Sequence, residues 1–144
     1  MQNTDNRLNT TWWALRVLFG FVPIAAGLDK YFNFLTNWET YLNPLATKLV
    51  PVTPATFMHI VGAVEIIAGI VVLSRFTKIG SYVVMVWLVA IAVNLLTMGK
   101  FLDVAVRDLG LAVAAFSLAQ LSAVREESTS TVRVRAAQPL PARS

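Results

Sequence analysis

What is scarce in this chain constrains it most. Its 144 residues include no cysteine and one histidine, and only 14% carry a charge, against about 25% in a soluble domain. Without a thiol the chain can neither exchange disulfides nor hold a metal through thiolates. A single imidazole among scattered carboxylates supplies no metal ligand set and no axial pair for haem. The charge deficit is too large for a surface that faces water on all sides. Hydrophobic residues make up 56% and mean hydropathy is +0.63, so the chain reads as one integral membrane domain. Its net charge of +4 does not indicate nucleic acid. The basic residues gather at helix ends, and no basic–aromatic surface is interleaved as such binding requires.

What is present is a series of apolar runs. They predict an all-α fold, an integral membrane four-helix bundle spanning residues 12–124, with spans at about 12–31, 57–74, 79–98 and 103–124. A polar segment, 1–11, precedes it and is expected to fray; a disordered basic tail, 125–144, follows. Trp12 and Trp13 at one end of the first span, and Tyr31 and Phe32 at the other, form aromatic belts. Arg16 interrupts the apolar run and no small-residue cleavage site follows, so this span reads as an anchor rather than a signal peptide. Pro23 is expected to kink it. The long connection from Asn33 to Ala55 reads as a cap or docking surface. A short interfacial helix is expected within 37–49, with Trp38 and Tyr41 as interface anchors. Arg7, Arg75, Lys78, Arg125, Arg133, Arg135 and Arg143 fall on one side of the membrane. That bias predicts a multi-pass protein of a bacterial-type cytoplasmic (inner) membrane, with both termini in the cytoplasm.

The stretch around which the rest is organised is Phe57 to Leu73, whose one carboxylate, Glu65, lies near its middle. An ionised carboxylate at that depth must find a partner, a proton or water. Polar residues from all four helices converge on the outer half: Asp29, Lys30, His59, Asn94, Arg107 and Asp108, with Glu65 just below and Arg16 in the inner half. On the first helix Arg16, Gly20, Pro23, Gly27 and Lys30 follow a three–four spacing, and on the second so do His59, Gly62, Glu65 and Gly69. The fourth carries Asp108, Ala112, Ala115, Ala119 and Ser122. These stripes are expected to turn inward, where glycine and alanine let helices approach. Glu65 is expected to pair with a cation, the candidates being Arg16, Lys30 and Arg107 in that order. The competing reading makes it a ligand-facing or proton-transferring group.

The first helix, with Leu15–Arg16, Gly20, Gly27 and Lys30, resembles the DoxX-like family of small four-helix membrane proteins. Glu65 and Gly69 match that family's glutamate-then-glycine segment, and Asp108 matches its acidic residue early in the fourth helix. The resemblance extends roughly from Trp12 to Ala123, leaving out the first loop and the tail. It implies a membrane protein linked to redox or quinone-associated systems, such as the small subunit of a thiosulfate:quinone oxidoreductase, and it carries over no cofactor-ligand motif. Two functions follow as expectations. One is an accessory subunit of a respiratory or other redox complex, not catalytic by itself and without a redox centre, docking other membrane subunits or copies of itself through spare small-residue faces. The other is a protein that binds quinone, lipid or another amphiphile in a polar pocket near Glu65.

Overall fold

A computed structural model describes residues 2–44, 48 and 51–137. Its four helices are α1 (Gln2–Phe32), α2 (Pro54–Leu73), α3 (Thr77–Met98) and α4 (Leu102–Ala137), with a 3-10 turn at Trp38–Tyr41 in the long first connection. Three stretches, Asp5–Phe32, Pro54–Leu73 and Thr77–Met98, are long and apolar enough to cross a membrane. The expected fourth span, 103–124, is not among them. Large apolar side chains point outward around the bundle, Phe21, Ile67, Val86 and Val113 among them, as a lipid-facing surface requires. The protein is an all-α membrane bundle.

The helix boundaries follow from local chemistry. The Thr53 hydroxyl accepts the Thr56 amide at 3.2 Å, and Pro54 occupies the first turn of α2, where its missing N–H costs nothing. Gly99, with φ +65°, ends α3 in the left-handed region. Pro23 lies inside α1 without ending it; lacking an N–H, it leaves the Phe19 carbonyl without its helical donor.

Both ends depart from expectation. α1 begins at Gln2 rather than fraying as far as Thr11, and Thr10 and Thr11 donate back to the Asn6 and Arg7 carbonyls. α4 continues beyond Val124 to Ala137, where an unstructured tail was expected. The Arg125 side chain ties it to Asn9 of α1, and Ser128 and Thr129 bond to carbonyls one turn back. The rest of the tail, 138–144, lies outside the described residues. Of the interfacial helix expected within 37–49, the 3-10 turn accounts for four residues; 45–47, 49 and 50 lie outside the described set.

Contacts are densest within two antiparallel pairs, α1–α2 and α3–α4, and sparser between the pairs. Glycine sets the first pair's register. A Cβ on Gly27 would lie 2.5 Å from the Gly62 carbonyl oxygen, and one on Gly62 would lie 2.6 Å from that of Gly27. Gly69 meets the Gly20 carbonyl oxygen in the same way one repeat further down. In the second pair the fourth-helix stripe turns inward as expected: Asp108, Ala112, Ala115, Ala119 and Ser122 are all buried. Because the two pairs meet loosely, a space remains between them.

Candidate functional site

That space is a cavity of about 610 Å³. Its inner half, meaning the half nearer Trp12, is apolar, with Leu18, Phe19 and Val22 from α1, Val84 and Leu88 from α3, and Leu111 from α4. Its outer half is polar, with Lys30, Glu65, Trp87, Asn94, Arg107 and Asp108 beneath the loop residues Trp38 and Tyr41.

At the polar end Lys30 Nζ lies 2.6 Å from Glu65 Oε2, and both side chains are less than a tenth exposed. Around this pair the other donors and acceptors are satisfied. Lys30 Nζ also reaches the Ala26 carbonyl at 3.5 Å and lies 3.7 Å from the centre of the Trp38 ring. Trp87 Nε1 donates to the other Glu65 oxygen at 3.5 Å. The Trp38 ring is itself held, its Nε1 donating to Asp29 Oδ2 at 2.7 Å, while Asp29 accepts the Phe34 and Leu35 amides at 3.1–3.2 Å. Asp29 thus turns the chain back over α1 and fixes an indole over the lysine. Across the cavity the buried Asp108 accepts Arg107 Nε and Nη2 at 3.1 and 3.0 Å. Among the described residues no buried side-chain polar atom lacks a partner.

The structure therefore gathers five of the expected polar residues at the cavity, Lys30, Glu65, Asn94, Arg107 and Asp108, sets Asp29 behind its Trp38 roof, and leaves out two. His59 is exposed on the second turn of α2, where its ring stacks on Tyr31 at 4.7 Å. Arg16, the first-ranked partner for Glu65, does not reach it. Its guanidinium caps the other end of α2, donating to the carbonyls of Val72, Leu73 and Ser74 at 3.2, 2.6 and 2.8 Å. The antiparallel glycine register sets Arg16 opposite Leu73, so a cation near the start of α1 meets the end of α2, and Lys30 takes the glutamate.

Two aromatic roles also change. Trp12, expected as an interface anchor, is 8% exposed and donates to Ser122 Oγ at 2.8 Å, pinning α1 to α4; Trp13 beside it stays exposed. Trp38 and Tyr41, expected as anchors too, form the roof of the cavity: Tyr41 packs on Phe101 at 4.5 Å and its carbonyl accepts Asn94 Nδ2 at 2.9 Å. Trp87 carried an unused sequence signal. An indole N–H in mid-span needs an acceptor, and Glu65 is the carboxylate at similar depth.

Neither a search of curated proteins nor one of solved structures finds a significant match. The family model described as DoxX matches residues 11–98, from the start of the first span to the end of α3. The match takes in the first loop, which the motif resemblance had omitted, and stops before α4 with its Asp108. It covers more than half of the chain and holds the glycine-paired helices, the Lys30–Glu65 pair and the Trp38 roof: the chain belongs to the DoxX family.

Proposed function

We propose that this protein binds a single neutral amphiphile between its two helix pairs, of the quinone class or one chemically like it, within a redox assembly of the cytoplasmic membrane. The observation that carries the reading is the cavity: about 610 Å³, apolar at one end and lined by hydrogen-bonding side chains at the other. That size and that split between tail and head suit a small-molecule ligand. The charges argue for a neutral head group. Lys30 is matched by Glu65 and Arg107 by Asp108, so an anionic head would find no uncompensated cation, while a carbonyl or hydroxyl could use Asn94, Trp87 or the ion pair itself. No redox centre of the protein's own is invoked; electrons would be exchanged by the ligand with partner subunits.

The purely accessory reading rested on small-residue faces left over for other subunits. Gly20, Gly27, Gly62, Gly69, Ala112 and Ala115 are all used inside the bundle, and this favours the ligand-binding reading. The positive-charge bias supports placing both termini in the cytoplasm, with the roofed end of the cavity outward. Gentle extraction followed by native mass spectrometry should find one bound small molecule per chain. Titration with a decyl-chain benzoquinone should quench tryptophan fluorescence saturably in the parent and not in Lys30→Met. A protein that purifies without any small molecule and shows no saturable quenching sinks the proposal.

A further inference from the structure

We infer that the ligand reaches the cavity sideways from the lipid, through the seam between α1 and α4 where it passes Leu18 and Val22; this rests on the amphiphile reading above. The two helices are bound together at one end only. There Trp12 donates to Ser122 at 2.8 Å, Arg125 bonds Asn9, and the Arg125 guanidinium lies 4.1 Å from the centre of the Trp12 ring. Among the described residues, hydrogen bonds between α1 and α4 are confined to that end. Beyond that clasp Leu18, 41% exposed, and Val22, 52% exposed, both line the cavity and face outward, and nearer the loop so does the Arg107 side chain, 65% exposed. A side chain that lines a cavity and is also exposed on a membrane-facing surface marks an opening to lipid. Pro23 lies beside this opening, where α1 lacks one backbone hydrogen bond.

The alternative route, from the aqueous side beneath the loop, is blocked by three fixed contacts. Trp38 is held by Asp29 and stacked over Lys30, Tyr41 is packed on Phe101, and Asn94 bonds the Tyr41 carbonyl. A sideways route also selects its ligand. The head group must pass Leu18 and Val22 on α1, with the chain trailing in the bilayer. The occupant is therefore a single-chain molecule resident in the membrane rather than a water-soluble one.

Stopped-flow quenching by the decyl-chain benzoquinone, in protein reconstituted into nanodiscs, separates route from site. Val22→Phe, alone and together with Leu18→Phe, should slow association and dissociation together, at least about tenfold, so that any change in Kd from their place in the lining is smaller than the change in either rate. Val86→Phe, equally exposed on α3 but not lining the cavity, should leave both rates as in the parent. Unchanged rates in the seam variants would overturn the sideways route and move it beneath the loop. A parent protein that binds no probe would instead remove the amphiphile reading on which the route depends.

Discussion

Arg16 and Lys30 sit on one face of the same helix and are both drawn towards α2, yet they do different things. At the inner end Arg16 gives its donors to three backbone carbonyls at the close of α2. Those acceptors belong to any helix terminus, and a cation there complements the helix dipole. At the outer end Lys30 gives a charge to a carboxylate, under an indole and beside a cavity. The acceptor is one particular side chain, and the pair borders space that a ligand can occupy. A guanidinium that binds backbone closes a structure, whereas an ammonium–carboxylate pair against a void is available for exchange. Depth in the membrane does not separate the two; the identity of the acceptor does.

Removing the outer acceptor should have the largest effect. Glu65→Ala leaves Lys30, 5% exposed, without its counter-charge. Stranding one partner of a buried ion pair costs about 3–5 kcal/mol. The melting temperature in detergent should fall sharply, and the Lys30→Met, Glu65→Leu double variant should recover most of it, since a matched apolar pair strands no charge. A single variant that melts with the parent would mean that the pair does not hold this end together.

Next in size is a change that disturbs both cations, because glycine packing places them. A Cβ on Gly62 would lie 2.6 Å from the Gly27 carbonyl oxygen and 3.2 Å from the Lys30 Cβ. Gly62→Ala should push the helices apart and cost about 1–3 kcal/mol, the range for overpacking a tight contact. Gly110→Ala is the control: nothing lies within 4 Å of its added Cβ, so the helix should gain about 0.5–1 kcal/mol. Equal losses at both positions would show that the close approach of α1 and α2 does not matter.

That glycine register shows what could be read from the chain alone. The helices were legible because long apolar runs with few charges in a chain of this composition have few other solutions. The inward stripe of α4 was legible because its four–three spacing stays on one face, and each of its members is buried. The Lys30–Glu65 pairing was within reach as well. Gly20 and Gly27 are seven apart, as are Gly62 and Gly69, and laying the two antiparallel puts Arg16 at the end of α2. His59 failed for a geometric reason: steps of three on a helix turning about 100° per residue drift, leaving it about 120° from Glu65. The Trp38 roof was not legible, because it depends on Asp29 folding a loop back over its own helix, and no periodicity records that.

Arg16→Met tests the inner half of the comparison. Its three carbonyl acceptors lie at a helix end, where water and lipid head groups replace part of what is lost. The variant should therefore cost only about 1–2 kcal/mol, within the range for hydrogen bonds to a charged donor. Quenching by the benzoquinone should be unchanged, whereas Lys30→Met should abolish it. A variant at Arg16 that lost binding while keeping its melting temperature would put both cations in the site and erase the distinction drawn between them.

The smallest effect belongs to Trp12→Phe. The substitution keeps an aromatic ring in the core and removes the one donor that crosses from α1 to Ser122. Ser122 is not orphaned, because its hydroxyl still donates to the Leu118 carbonyl at 2.8 Å. The expected cost is about 0.5–1.5 kcal/mol, that of an ordinary hydrogen bond with its partner left satisfied. Its value lies in the rates. If the inner end of the α1–α4 seam is the clasp and the stretch at Leu18 and Val22 the opening, loosening the clasp should speed ligand association and dissociation together, by a few-fold at unchanged Kd. Val22→Phe should move the same two rates in the opposite direction. Rates in Trp12→Phe that match the parent, in a protein whose melting temperature has dropped, would leave Trp12 as a core residue and nothing more.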